Sequence, residues 1–155
     1  MGKSGGEITY KKYGAENLDT IAELWQKLRL LHQERSTYFK EYFSTFTWED
    51  RKKDLLDRAK NGAVLIETAI VNDKLIGYCV SSVNDKKAGE IESIYIEKEY
   101  RGRHIGNHFM KTALSWLDSL GVKRKIIGVA VGNEQAFRFY RKYGFYPRVT
   151  VLMQK

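Results

Sequence analysis

Cysteine is nearly absent from this chain: its 155 residues include one, Cys79, along with only three histidines. A single cysteine excludes an internal disulfide framework and fits a reducing compartment, so a cytoplasmic protein is expected. Cys79 stands inside the apolar run Leu75–Val80 with no reactive partner beside it, and reads as a small core residue rather than a nucleophile. Long apolar runs are missing too. Nothing approaches the ~20 residues needed to span a bilayer, and Met1–Gly6 lacks the apolar segment of a signal peptide. Gly6 also stands where the myristoylation pattern needs Ser or Thr. Residues 1–7 therefore read as a flexible tail before one domain over 8–155, with no membrane partner. A chain of this length buries about two-thirds of its unfolded surface, which one core can hold.

Absent motifs remove several chemistries. There is no G-x-x-x-x-G-K-[ST] run and no G-x-G-x-x-G run, so the NTPase P-loop and the dinucleotide fingerprint are both excluded. His104 and His108 lie one helical turn apart, but the H-E-x-x-H pattern and any Cys or carboxylate cluster are missing, so no metal is expected. Acidic charge is in deficit: 27 Lys and Arg against 19 Asp and Glu give a net charge of +8. Arg51-Lys52-Lys53, Lys123-Arg124-Lys125 and Arg138 to Lys142 are candidate phosphate contacts. They are scattered over several elements instead of gathered on one recognition helix, and nucleic acid is not the expected partner.

What is present is concentrated between Glu90 and Met110. Glu90-Ile91-Glu92-Ser93-Ile94-Tyr95-Ile96 is rich in β-branched and aromatic residues but alternates imperfectly, which predicts a strand with a bulge or with both faces buried. A loop, Tyr100-Arg101-Gly102-Arg103-His104-Ile105-Gly106, leads into an amphipathic helix carrying Ile105, Phe109, Ala113, Leu114, Trp116, Leu117 and Leu120, with Gly121 as its stop. Helix starts expose free N–H groups and the positive end of the macrodipole, and Gly102 and Gly106 let an anion come close to the main chain.

Arg101-Gly102-Arg103-His104-Ile105-Gly106 resembles the [RQ]-x-x-G-x-[GA] pyrophosphate loop of the GNAT N-acetyltransferase family, with His104 in place of the first glycine. Downstream, Asn133-Glu134-Gln135-Ala136-Phe137-Arg138-Phe139-Tyr140-Arg141-Lys142-Tyr143-Gly144-Phe145 is similar to that family's N-x-x-A-x-x-[FL]-Y-x-x-x-G-F helix. The resemblance covers roughly Ala63 to Phe145. It implies an α/β protein with the GNAT acyl-CoA N-acyltransferase fold, a mixed, mostly antiparallel sheet flanked by helices. It also implies acetyl-CoA (CoA) as cofactor, held by Ile94, Tyr95, Ile96, Arg101, Gly102, Arg103, His104, Ile105, Gly106, Asn133, Ala136, Phe137 and Tyr140. The side chain at position 104 either crowds the pyrophosphate or donates a hydrogen bond to it. Part of the basic excess then has a polyanionic ligand to answer, with Arg101, Arg103, Arg138 and Arg141 in the two matching blocks.

The remaining pattern agrees in order. Ile8–Tyr13 reads as a strand, and Asn17 as the N-cap of a helix whose stripe runs from Leu18 to Leu31 toward Arg35. Thr47-Trp48-Glu49-Asp50 resembles a capping box that opens a helix ending near Asn61-Gly62. Val64–Val71 and Leu75–Val83 form a hairpin about Asn72-Asp73-Lys74. Ile126–Val131 is a buried strand, and Tyr146–Met153 a last strand after the Asn133 helix.

Acyl transfer from a thioester to an amine needs a neutral amine, a polarised carbonyl and a protonated leaving thiolate. The resemblance gives Tyr140 the general-acid role, a main-chain N–H near Tyr95 or Ile96 the carbonyl, and Asn133 a cofactor contact compatible with helix capping. Glu92 is the candidate base through water, and alternation puts Glu90 on the same face to hold the acceptor's cation. His32, Glu34 and Tyr38, with Phe39 and Tyr42, are the expected acceptor wall. The expected activity is acetyl-CoA-dependent transfer to a primary amine of a small molecule (polyamine-, aminoglycoside- or amino-acid-like) or a peptide. A CoA-binding module without turnover and a nucleic-acid-binding domain are the competing readings, and a homodimer is left open.

Overall fold

The strands form one sheet in the order β1-β2-β3-β4-β5 in a computed structural model that describes residues 5–155. They are β1 (Thr9–Tyr13), β2 (Ala63–Val71), β3 (Lys74–Val83), β4 (Ala88–Ile96) and β5 (Arg124–Ile127). Every pairing is antiparallel except β4 with β5, which is parallel. The β2–β3 hairpin turns on Asn72 and Asp73 at φ 49° and 62°, the left-handed pair that a tight twisted hairpin requires.

Helices cover both faces. A 3₁₀ segment (Ala15–Ile21) leads into α1 (Ala22–Arg35), followed by α2 (Lys40–Thr45) and α3 (Trp48–Asn61). Their side of the sheet buries Leu18, Ile21, Trp25, Trp48 and Leu55 against Ile66, Tyr78 and Val80. On the opposite face α4 (Ile105–Ser119) buries Phe109, Met110, Ala113 and Leu117 against Ile76, Cys79 and Ile91, with α5 (Ala136–Arg141) beside it. Burial pushes the Cys79 thiol up to about 12, so it stays protonated and unreactive. Thr47 and Asp50 form the reciprocal capping box, Asp serving where Glu is usual. At the end of α4, Val122 N–H donates to Leu117 and Gly121 N–H to Asp118, a Schellman closure with Gly121 at φ 72°.

Three expectations are corrected. Asn17 sits at a kink between two 3₁₀ turns, at φ −113° and ψ 25°, but its side chain makes no capping hydrogen bond to the turn that follows. Winding that turn at three residues per turn points Leu18 and Ile21 together into the core, and their burial outweighs a cap. The buried strand expected over 126–131 is Arg124–Ile127, and it is not buried: the chain leaves the ladder after Ile127, and Ile126 and Val131 are exposed. Tyr146–Met153 forms no strand. Its β-branched residues have no ladder partner, and Tyr146, Val149, Val151 and Leu152 are exposed. Of the tail over 1–7, residues 1–4 lie outside the described residues, and the Gly6 carbonyl accepts a bond from Arg103.

One irregularity positions the site. Val80 pairs with Ser93 and Ser81 with Ile91, leaving Glu92 as the extra residue of a β-bulge in β4. Glu92 and Ser93 therefore both turn toward α3, where Glu92 meets Arg51 and Arg58 and Ser93 bonds the Tyr78 hydroxyl, while Ile91 and Ile94 pack on the α4 side. Pairing between β4 and β5 ends at Ile91 and Ile127. Beyond that point the β5-facing edge of Ile94–Ile96 has no strand beside it among the described residues.

Candidate active site

The loop after β4 is set by backbone conformation before any side chain acts. Gly102 and His104 are both left-handed, at φ 79° and 63°. A β-carbon at Gly102 would meet nothing within 4 Å, so that glycine is required by its dihedral and not by space. His104 takes the same region with a side chain, at a cost of roughly 1 kcal/mol, and is exposed where it lines the groove. It is followed at once by α4. His108 is the residue whose N–H closes the first turn, onto the His104 carbonyl, so the amides of Ile105, Gly106 and Asn107 have no intrahelical acceptor.

Gly106 also has a packing role. A β-carbon there would lie 3.1 Å and 3.3 Å from the Phe139 ring, so the missing side chain lets α5 pack onto the start of α4. Tyr143 reinforces that junction by donating its hydroxyl to Asn107 Oδ1. Arg101 donates from Nε to the Ile96 carbonyl at 2.9 Å and lies over the Tyr95 ring, which fixes its charge at the loop end of the groove.

The groove itself encloses about 790 Å³. Its floor is Ile94, Tyr95 and Ile96, at the unpaired edge of β4. Leu28, Leu31 and Arg35 of α1 form one wall. Asn133, Gln135 and the α5 side, Ala136, Phe139, Tyr140, Lys142 and Tyr143, form the other. The walls touch at one corner: Arg35 Nη1 donates to Asn133 Oδ1 at 3.0 Å, and Gly132, at φ 101°, passes so close to the Arg35 carbonyl that a β-carbon would sit 2.2 Å from it. Burial holds the Tyr140 phenol well above the usual tyrosine value, so it keeps its proton. Among the described residues no group of three or more His, Cys, Asp or Glu is placed to hold a metal.

Residues 25–145 match the family model described as Acetyltransferase (GNAT) family. The chain belongs to the GNAT family. It is 28% identical over 122 residues to a protein of Methanocaldococcus jannaschii described as an uncharacterized N-acetyltransferase, a match that takes in 70% of this chain and 53% of the other. The chain thus spans about half the length of that relative. A protein of Archaeoglobus fulgidus, also described as an uncharacterized N-acetyltransferase, is 28% identical over 134 residues, 81% of this chain and 84% of its own. Among solved structures, the PaiA N-acetyltransferase of Thermoplasma acidophilum in complex with coenzyme A superposes with a TM-score of 0.72 at 22% identity, covering 94% of this chain and 93% of that one. That likeness bears on the fold.

Within this GNAT domain, most of the expected cofactor contacts line the groove, but Arg103 and Phe137 do not. Arg103 is turned to the N-terminal segment, donating to the Gly6 carbonyl at 2.9 Å and lying over Tyr100. Phe137 falls off the stripe 136-139-140-143 that α5 turns to the groove, and Arg138 and Arg141 face solvent for the same reason. Phe139 and Tyr143 were findable from that helical spacing. Asn133 does not cap its helix, because its side-chain oxygen is engaged by Arg35.

The carboxylates are placed elsewhere. Glu92 accepts from Arg51 at 3.1 Å, from Arg58 at 2.9 Å and from the Ser82 hydroxyl, and its side chain is 2% exposed. Those partners hold Glu92 outside the residues that line the groove. Glu90 pairs with Arg58 at 3.1 Å in a separate cavity of about 240 Å³, at the far end of β4. Burial, then the charge of Glu92, pushes its carboxyl up. His32, Glu34 and Tyr38 do not line the groove either, since α1 presents Leu28, Leu31 and Arg35 to it. The His32 ring packs instead near Phe43, and burial, then Arg35, pulls its imidazole down. The basic runs are partly neutralised: Arg51 and Arg58 serve Glu92, Lys52 pairs with Asp19 and Lys125 with Asp118.

Proposed function

We propose that this chain is an acetyl-CoA-dependent N-acetyltransferase that acts on a primary amine. The observation that carries the reading is the conjunction at one groove of three parts: free amides at the start of α4, an unpaired stretch of β4, and a half-buried phenol opposite. The residues suit the cofactor. A pyrophosphate needs N–H donors, positive charge and close approach to the backbone, and Ile105, Gly106 and Asn107 amides with Arg101 and Lys142 offer these with no carboxylate among the groove-lining residues. The extended pantetheine arm can lie along Ile94–Ile96 as an added strand would. When bound, acetyl-CoA supplies the activated acetyl group as a thioester.

The chain's own residues then divide the work. A main-chain N–H of β4 near Tyr95 or Ile96 donates to the carbonyl oxygen as negative charge gathers on it. Tyr140 holds its proton through its burial, so it stands ready to donate a hydrogen bond to the departing sulfur; the thiolate takes that proton as the C–S bond breaks, and water at the groove mouth returns one to the phenol. With Glu92 locked in ion pairs, the amine's proton leaves to water at the groove mouth. The test is thiol release from acetyl-CoA on adding amines, read beside direct measurement of acetyl-CoA binding. Acetyl-CoA stabilises the fold by about 2.7 kcal/mol at a hundredfold excess over its Kd. A melting temperature unmoved by millimolar acetyl-CoA would remove the reading.

A further inference from the structure

The charges on the groove have one sign. Arg35, Arg101 and Lys142 line it, and no Asp or Glu does. Of the carboxylates along β4 and just beyond, Glu90 is paired with Arg58, Glu92 with Arg51 and Arg58, and Glu97 with Lys27 at 2.9 Å, while Glu99 is exposed and outside the groove lining. Arg101 and Lys142 flank the phosphate-binding end, at the loop and at the end of α5. Arg35 stands apart from them, on the α1 wall.

We propose that the acceptor carries a carboxylate close to its amine and that the Arg35 guanidinium reads it. The inference rests on the acetyl-transfer reading above and narrows its substrate. Arg35 commits one N–H to Asn133 and has no acidic partner among the described residues, which leaves guanidinium donors for a two-pronged bond to a carboxylate. Its position is fixed in advance by the Asn133 bond and by the tight passage of Gly132 against its carbonyl, so little order is lost on binding. A polyamine or an aminoglycoside would bring several positive charges to a wall that offers no counter-charge, and repulsion would act on encounter and on binding alike. Two sources could supply the carboxylate: a free amino acid, or an acidic side chain beside the N-terminal amine of a peptide.

The experiment compares kcat/KM at saturating acetyl-CoA across matched amines: an amino acid and its amide, a peptide beginning with an acidic residue and its neutral counterpart, and a polyamine. The acidic member of a pair is expected to lead by about 10- to 100-fold, the range for a hydrogen bond to a charged group. The winning pair names the source. In Arg35→Gln the acidic acceptor should drop to the level of its neutral partner, mainly through KM, with Arg35→Lys between them and acetyl-CoA binding held within about twofold. Equal loss on acidic and neutral acceptors would make Arg35 a structural latch, and weakened acetyl-CoA binding would assign it to the cofactor; either overturns the proposal. So would a polyamine or the amides as best acceptors. Should both variants fail to fold, salt decides on the wild type: KM for the acidic acceptor must rise with ionic strength while that of the amide stays flat. Acetyl-CoA binding without thiol release for any amine would instead sink the acetyl-transfer reading itself.

Discussion

The two halves of β4 are one strand with opposite properties. From Gly89 to Ile91 it is paired on both edges, to β3 and β5, and the carboxylates of Glu90 and of the bulge residue Glu92 are met by arginines of α3. From Ile94 to Ile96 it keeps β3 but has lost β5, and the groove runs along the vacated edge. The bulge at Glu92 stands at the changeover. Polar groups that are satisfied within the protein hold the sheet together, and those left open are the ones a ligand can use. By that rule an acidic residue on the motif strand is structural, and a half-buried phenol across the groove is the group to test for chemistry.

The largest effect should fall on the open half. Tyr140→Phe keeps the ring and its packing against Phe139 while removing the hydroxyl, so kcat should drop by ~10²- to 10⁴-fold with acetyl-CoA affinity preserved. Burial raises the Tyr140 pKa, so the protonated form persists as pH climbs, and wild-type kcat should show no alkaline fall from this group below about pH 10. Unchanged turnover in Tyr140→Phe would return Tyr140 to the role of a packing aromatic.

The paired half should answer in stability instead. Glu92→Gln removes a buried anion and leaves Arg51, 14% exposed, without its partner. Breaking a buried pair costs about 3–5 kcal/mol; Arg58 is 42% exposed and can turn to water, so a loss of about 2–3 kcal/mol is expected. Urea unfolding reads the loss, and kcat of the folded fraction should stay within about threefold, far from the ~10²-fold of a lost general base. A large kcat defect at an unchanged unfolding midpoint would restore Glu92 to the chemistry.

How much of this was legible follows from how local each determinant is. The hairpin at Asn72-Asp73, the Thr47–Asp50 box and the Gly121 stop are set by residues within a few positions of one another, and all three appear as read. The imperfect alternation of Glu90–Ile96 allowed a bulge or two buried faces, and the strand carries the bulge; its consequence lay out of reach, because Arg51 is 41 residues from Glu92 and nothing along the chain pairs them. Arg35 and Asn133 are 98 positions apart, so the corner where the groove walls meet was invisible for the same reason. Tyr146–Met153 shows the converse failure, since strand propensity cannot supply a partner strand.

At the junction of the halves with the cofactor loop, Gly106→Val should cost about 1–3 kcal/mol, because its side chain enters the space held by the Phe139 ring. Acetyl-CoA binding should weaken with it, since displaced α5 carries Tyr140 and leads directly into Tyr143. A variant that binds acetyl-CoA normally at wild-type stability would show that α5 does not depend on this contact.

The smallest effects lie within the loop and should have opposite signs two positions apart. Gly102→Ala places a β-carbon at φ 79°, where space is free but the dihedral is unfavourable, and should destabilise by about 1 kcal/mol. His104→Gly relieves the same conformation at φ 63°, but a glycine also gains freedom in the unfolded chain, which returns part of the benefit. The net gain should be about 0.5 kcal/mol, readable as a raised urea midpoint at constant slope. Acetyl-CoA affinity sharpens the result, because the His104 side chain is exposed at the groove mouth and either obstructs the pyrophosphate or donates to it. If it obstructs, His104→Gly binds more tightly as well as folding more stably. If it donates, stability and affinity move in opposite directions, and the histidine is retained for the ligand at a cost to the fold.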